Sequence, residues 1–222
     1  MWHRKLLQTV ALAVLLGAAL AGAAEPSPTS RVRGSLEIRA GERSGDVSTV
    51  DGSIRIGAAA QIGTAHAVNG SITAEERAAA TELATVNGSI RLGHGAQVKG
   101  DVRSLNGSLE VADGAAITGS LSNLSGSIRV AAARIDGGID TVSGNILIGP
   151  GAKVAGGIHV GRAEHSDSQP EHEPRIVIGP HSVVRGVLRF ERPVRLYIST
   201  RASVGAIEGA TATRFAGEQP PD

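Results

Sequence analysis

Apolar residues recur at intervals of six along most of the chain, with small and polar residues between them. Three sixes make a unit of about eighteen residues, which predicts a coil with three short sides and one inward apolar residue on each. Ile54 and Ile56 bracket Arg55, an alternation typical of a strand with one wet face. The recurrence is traced by Val50, Ile56, Ile62, Val68, Val86, Leu92, Val98, Leu105, Val111, Ile117, Val142, Ile148, Val154 and Val160.

A phrase of glycine, a small polar residue and isoleucine or leucine marks the same period. Its glycines are separated by steps of 18, 18, 18, 19, 19 and 18 residues. Parallel stacking explains this register, because like residues then lie above like at ~4.8 Å, whereas hairpins give no reason for it. The Asn-Gly step is assigned to a corner, since glycine accepts positive φ. The glycines are Gly34, Gly52, Gly70, Gly88, Gly107, Gly126 and Gly144.

These patterns predict an all-β fold, a single-stranded, three-sided parallel β-helix of about nine coils over residues 34–208. The stretch 162–174 is almost free of apolar residues, and after it residues 175–180 repeat the pattern of 145–150 at a displacement of 30 residues. That displacement is one coil plus twelve residues, so we interpret 162–174 as an inserted loop. Proline, glycine and charge at the ends predict a linker over 25–33 and a disordered tail over 209–222.

Residues 1–24 have the three parts of a cleavable signal peptide: a positive start, a short apolar run and small residues before Glu25. The apolar run is shorter than the ~20 residues that a membrane span needs, so no transmembrane anchor is predicted. We therefore expect an exported protein, periplasmic or on the cell surface. The chain has no cysteine, so disulfides do not hold this fold together.

The formal net charge is +1, and removal of Arg4 and Lys5 with the signal takes it to −1. Such a balance argues against nucleic acid as a partner, since phosphate binding needs a dense basic face. With only two Phe and one Tyr in the chain, the core must be aliphatic.

Arg55, Arg91 and Arg129 fall in one predicted outward column, a candidate surface for an acidic polysaccharide or a phospholipid headgroup. His165 and His172 are the candidate metal ligands, but their loop lacks a rigid ligand spacing, so neither a metal nor another cofactor is predicted. No catalytic residue is predicted either, because the aspartates share no offset from the repeated phrase: Asp46, Asp101, Asp113, Asp136 and Asp140.

The phrases Val68-Asn69-Gly70-Ser71-Ile72 and Val86-Asn87-Gly88-Ser89-Ile90 resemble those of a bacterial adhesin-type β-solenoid family of unknown function. The later phrases, over residues 148–158 and 178–188, look like those of bactofilins, the bacterial polymer-forming cytoskeletal proteins. The second resemblance implies a right-handed, three-sided helix that polymerises end to end. Neither resemblance brings catalytic residues with it.

The sequence thus predicts a non-enzymatic, exported structural or binding protein of the bacterial envelope, self-associating end to end or adhesin-like. Its expected partners are another copy, an envelope polysaccharide or an envelope protein, because the end coils of a solenoid expose unpaired backbone groups. The alternative is a carbohydrate-active β-helix enzyme that acts on envelope polysaccharide, which would need carboxylates converging on a groove.

Overall fold

The chain is described by a computed structural model over residues 28–162 and 173–220. Within these residues all regular structure is β: three parallel sheets, to which each coil contributes one strand in turn, with no helix. We name the sheets A, B and C, and their strands are given below. Sheets A and B have ten strands each, and the seven strands of sheet C are extended by isolated bridges at Arg43 and Gln61. The predicted three-sided β-solenoid of about nine coils is confirmed, while its handedness stays a prediction.

The strands of each sheet follow one another in spatial order. Sheet A contains β1 (Thr29–Arg33), β3 (Val47–Asp51), β5 (Thr64–Asn69), β8 (Glu82–Asn87), β11 (Val102–Asn106), β14 (Leu121–Ser125), β17 (Ile139–Thr141), β20 (Ile158–Val160), β23 (Leu188–Phe190) and β26 (Ile207–Glu208). Sheet B contains β2 (Leu36–Ile38), β4 (Ile54–Ile56), β6 (Ile72–Ala74), β9 (Ile90–Leu92), β12 (Leu109–Val111), β15 (Ile128–Val130), β18 (Ile146–Ile148), β21 (Arg175–Ile178), β24 (Arg195–Ser199) and β27 (Ala212–Phe215). Sheet C contains β7 (Ala79–Ala80), β10 (Gln97–Val98), β13 (Ala116–Ile117), β16 (Arg134–Ile135), β19 (Lys153–Val154), β22 (Val183–Val184) and β25 (Ser203–Val204).

The register of the ladders agrees with the sequence period. Ile54 pairs with Ile72, eighteen residues later. Across the predicted insertion, Ile146 pairs with Ile176 at a separation of thirty residues, so β18 and β21 are direct neighbours. The register is therefore the same on both sides of the predicted insertion, of which residues 163–172 lie outside the described residues.

The interior is aliphatic and tightly layered. In sheet B each short strand alternates, as at Ile54 and Ile56, which are buried on either side of exposed Arg55. At the corner that leads into sheet C, the interior position is small in successive coils, which lets the backbone turn close to the core. This buried column consists of Ala60, Ala78, Ala96, Ala115, Ala133 and Ala152.

One of the three predicted inward columns faces outward instead. Along β3 the buried residues are Val47 and Thr49, so Val50 lies on the outer side, where it is half-buried. The same correction holds for Val68, Val86 and Leu105.

In sheet A, the interior position next to the corner with sheet B holds a small polar residue in several coils. Thr85 Oγ1 donates a 2.9 Å hydrogen bond to the Gly70 carbonyl, and Ser104 Oγ donates one of 2.9 Å to the Gly88 carbonyl. These hydroxyls satisfy carbonyl oxygens that the turn leaves inside, which an aliphatic side chain could not do.

The repeated glycines are required by close approach between coils rather than mainly by φ. A Cβ on Gly70 would lie 1.8 Å from the Gly52 oxygen, and one on Gly88 would lie 2.1 Å from the Gly70 oxygen. Neither Gly70 nor Gly88 has a positive φ. The prediction of a glycine corner is confirmed, but its physical reason at these positions is the distance between stacked backbones.

Two ladders of polar side chains run along the corner between sheets A and B. Asn69 Nδ2 donates to Asp51 Oδ1, and Asn87 Nδ2 donates to Asn69 Oδ1, both at 2.9 Å. Asn106 Nδ2 donates to Asn87 Oδ1 at 3.0 Å. In the serine ladder, the backbone N–H of each serine donates to the hydroxyl one coil earlier, as from Ser71 to Ser53 at 3.3 Å. The Asn-Gly-Ser phrase is thus used for stacking.

The solenoid extends further at both ends than the predicted range, 34–208. Residues 29–33, assigned to a linker, form β1 and pair with β3, and residues 212–215, assigned to a disordered tail, form β27 and pair with β24. Parallel pairing with the adjacent coil orders these segments although their composition is polar. The predicted signal peptide, 1–24, lies outside the described residues.

Candidate functional site

The predicted basic column exists as a structural register on the outer side of sheet B. Thr73 connects Arg55 with Arg91, and Glu110 connects Arg91 with Arg129, each as a direct ladder partner. The three arginine side chains are between 59% and 66% exposed, so they face solvent. Their spacing along the stack is as the sequence indicated.

Carboxylates from neighbouring positions neutralise this column. Arg55 pairs with Glu75, and Glu110 lies between the other two arginines, with its carboxylate oxygens 2.7 Å from Arg91 Nε and 3.5 Å from Arg129 Nη1. Exposed pairs of this kind add little stability, but they cancel the local charge. The column is therefore a mixed-charge face, and its use as an anion-binding surface stays a prediction.

The aspartates that the sequence left without a pattern have structural partners. Three of them accept a hydrogen bond from a backbone N–H of the following coil, which holds adjacent corners in register. The bonds are Thr64 N to Asp46 Oδ1 at 2.8 Å, Ser120 N to Asp101 Oδ1 at 2.6 Å, and Ala132 N to Asp113 Oδ1 at 2.9 Å.

Sheet A carries a denser set of charges on its outer side. Arg103, in β11, pairs with Asp101 two residues earlier and donates from Nη1 to Glu82 Oε1 at 2.8 Å. The three side chains are between 28% and 33% exposed. Partial burial strengthens such a network relative to a fully exposed pair.

Sheet A also brings a histidine between two carboxylates. His159 Nδ1 lies 3.4 Å from Asp140 Oδ1, and its Nε2 lies 3.2 Å from Glu191 Oε1. Asp140 and His159 are direct partners in β17 and β20, and Glu191 follows β23 one coil further on. We call Asp140, His159 and Glu191 the histidine cluster.

The two carboxylates of the histidine cluster differ in environment. Burial raises the pKa of Asp140 above its ordinary value of 3.8, although the neighbouring His159 opposes the shift. The hydrogen bond from His159 lowers the pKa of exposed Glu191. The two carboxylates are thus shifted in opposite directions, because Asp140 is partly buried and Glu191 is exposed.

The order of side chains in this column does not form a nucleophilic triad. Ser122 is the ladder partner of Asp140 on the side away from His159. The carboxylate therefore stands between the hydroxyl and the imidazole, whereas a nucleophilic serine needs the imidazole next to it. The order along this column is therefore hydroxyl, carboxylate, imidazole, carboxylate.

The predicted metal candidates His165 and His172 lie outside the described residues. Over 28–162 and 173–220, no group of three or more His, Asp or Glu side chains is arranged to hold a metal ion.

A shallow groove of about 350 Å³ lies on sheet B under the C-terminal segment. Its floor includes Leu147 and Val177, Arg129 and Arg175 are on its walls, and Gln219 lines it from the C-terminal segment. Arg175 also stacks on Tyr197, with the guanidinium carbon 4.9 Å from the ring centre. The segment that the sequence assigned to disorder is thus folded back over an outward apolar patch.

Sequence reasoning missed a concentration of arginine in the last coils. Residues 175–220 contain seven arginines, no lysine and three acidic residues, a formal charge of +4, whereas residues 28–162 contain thirteen basic and twelve acidic residues. The overall charge balance concealed this asymmetry. Counting charges coil by coil would have revealed it.

Fold and surfaces together define the chain as a parallel β-solenoid. Comparisons with protein-family models, with curated proteins and with solved structures give no match. In the part of the chain that the structure describes, no helix is long and apolar enough to cross a membrane.

Proposed function

We propose that this protein is a non-enzymatic binding scaffold of the bacterial envelope, exported to the periplasm or the cell surface. The observation that carries the proposal is the way the repeated polar groups are used. The asparagines, serines and corner aspartates bond to equivalent positions one coil away, as Asn87 does to Asn69 and Thr64 to Asp46. Such residues build a rigid rod with flat outer faces, which suits binding along its length.

Binding of a different partner is favoured over end-to-end polymerisation. In the first coil, Thr29 and Arg31 occupy the register positions of Val47 and Thr49 in the second, and Arg31 Nη1 donates to the Ser35 carbonyl at 3.4 Å. Polar residues at core positions of sheet A weaken docking of another apolar layer on that side of the first described coil. Within the same proposal, the two family resemblances give two alternative roles for the scaffold, one adhesin-like and one bactofilin-like.

Co-sedimentation with insoluble cell-wall polysaccharide tests the binding function. We expect the purified protein to sediment with the polysaccharide and to release no reducing ends from it. Analytical ultracentrifugation of the protein alone should give a single species whose mass does not rise with concentration. Filaments that form as the concentration rises would indicate self-association instead of binding to a different partner. Absence of sedimentation with the polysaccharide would contradict the proposal.

The histidine cluster supports a second candidate, a carbohydrate-active enzyme. Its Asp140 is partly buried with a raised pKa, as expected of a general acid. If the protein releases reducing ends, Asp140→Asn should abolish the release while the solenoid stays folded. Asp113→Asn, at an exposed corner aspartate that accepts from the backbone N–H of Ala132 and lies outside the histidine cluster, serves as the control and should retain activity.

A further inference from the structure

The arginines of the last coils are distributed around the solenoid rather than placed in one column. Arg189 lies in β23 of sheet A, Arg195 begins β24 of sheet B, and Arg185 follows β22 of sheet C. Arg201 lies between β24 and β25, and Arg214 lies in β27. All five are exposed. We call Arg185, Arg189, Arg195, Arg201 and Arg214 the arginine collar.

The collar differs electrostatically from the predicted column of Arg55, Arg91 and Arg129. Within the described residues Arg189 pairs with Glu208 at 2.9 Å, while Arg185, Arg195 and Arg214 form no ion pair. Arg201 donates from Nη2 to a carbonyl oxygen, that of Ala216, at 3.3 Å. Positive charge therefore persists at the C-terminal end and is cancelled along the middle coils.

Sheet pairing brings two arginines together near this end. Arg175 and Arg195 are direct ladder partners in adjacent strands. Arg175 also lies over the ring of Tyr197. A fold that needed only solubility could use lysine and glutamate in these exposed positions, so the arginines point to recognition.

The chemistry of the side chain indicates the ligand. The guanidinium group is planar, always charged and matched to the two oxygens of a carboxylate or a phosphate. Because the collar surrounds three sheets, a planar bilayer could contact only one of its sides. A flexible acidic chain can follow several of them.

We propose that the arginine collar binds an acidic polysaccharide through its carboxylate or phosphate groups. The inference rests on the proposed function, since it names the class of partner that the envelope scaffold holds and the end of the rod that holds it. It moves the anion-binding surface from the predicted column to the last two coils.

The test uses polygalacturonate as the acidic probe and dextran as the neutral one, with affinity measured at 50 and 200 mM NaCl. We expect binding to polygalacturonate alone, weakening steeply with salt. The variant Arg185→Gln, Arg195→Gln, Arg201→Gln, Arg214→Gln should lose about a hundredfold in affinity, roughly threefold for each exposed charge contact.

The matched control removes the same charge from the middle coils: Arg55→Gln, Arg91→Gln, Arg129→Gln, Arg134→Gln. It should lose less than about threefold, because exposed ion pairs already occupy these four arginines. Equal losses in both variants would show a net-charge effect and overturn the proposal. So would binding to phosphatidylglycerol vesicles without binding to polygalacturonate, which would identify a membrane surface instead.

The two proposals fail in different ways. If the collar variant, shown by circular dichroism to be folded, still sediments with cell-wall polysaccharide as the wild type does, the scaffold function stands and the collar inference is wrong. If neither protein sediments, the scaffold function itself is wrong.

Discussion

Replacement of Gly88 by alanine tests the physical reason for the repeated glycine. A Cβ at this position would lie 2.1 Å from the Gly70 oxygen and 2.5 Å from its carbonyl carbon. Ordinary contact requires about 1 Å more, so two stacked backbones must separate at the corner. The hydrogen bonds between these two coils would then stretch, including those from Gly70 N to Asn87 O at 3.1 Å and from Ile72 N to Ser89 O at 3.0 Å.

The expected loss is large for a single added methyl group. Forced backbone shifts in a packed interior cost about 1–3 kcal/mol, and two weakened backbone hydrogen bonds add about 1 kcal/mol each. We therefore expect Gly88→Ala to lower the free energy of unfolding by about 4 kcal/mol. Guanidinium denaturation followed by circular dichroism measures the change.

Gly88→Asn separates close approach from backbone conformation. Asparagine tolerates positive φ but carries a Cβ, so it should destabilise the protein as much as alanine does. Gly95 provides the opposite control, since its φ is +66° and its added Cβ would meet only a flexible arginine side chain at 3.4 Å. There asparagine should be tolerated better than alanine. Wild-type stability of Gly88→Asn would refute the reasoning.

Three further substitutions test individual polar groups by thermal unfolding. Asn123→Thr should leave the stability within about 1 kcal/mol of the wild type. It removes a buried Oδ1 that has no hydrogen-bond partner, but it also removes the bonds that Nδ2 donates to the carbonyl oxygens of Gly107, Ser125 and Gly126, of which a hydroxyl can restore one. Asn87→Asp should destabilise it by about 1–2 kcal/mol at pH 7, because a carboxylate cannot donate to Asn69 Oδ1, and the loss should shrink at pH 3.5 when the acid is protonated. Asp140→Asn should raise the unfolding temperature at pH 8. Burial raises the pKa of Asp140 in the folded state. The stability that the protonated side chain contributes is therefore present below the ordinary value of 3.8 and is lost as the pH rises through the folded pKa.

Each of these substitutions has its own control. Asn123→Ala removes the unpaired oxygen and all the donated bonds, so it should be less stable than Asn123→Thr, and equal stability of the two would show that the hydroxyl is irrelevant. Asn87→Ser keeps a donor, and a loss as large as that of aspartate would argue against the amide ladder. For Asp140→Asn, an advantage that persists unchanged below pH 3.8 would contradict the assigned titration.

The candidate sites show where sequence reasoning was limited. It placed Arg55, Arg91 and Arg129 in one column, because a fixed period determines which residues are ladder partners. The same period places Glu110 in that column between Arg91 and Arg129. It could not show that Glu75 pairs with Arg55, since that depends on side-chain direction across the stack. The histidine cluster was missed because its three residues share no motif and Glu191 lies beyond the insertion, although Asp140 and His159 are ladder partners.

By itself the sequence determined the parallel stack, the coil length, the number of coils and the position of the insertion. It could do so because parallel stacking repeats the same local environment in every coil, and the period of the residues records it. Only the tertiary structure decided which side of sheet A faces the core, where Thr49 is inside and Val50 outside. The structure alone also gave the reason for Gly88 and placed the last arginines around one end, because both depend on how close successive coils approach and on which groups that distance brings together.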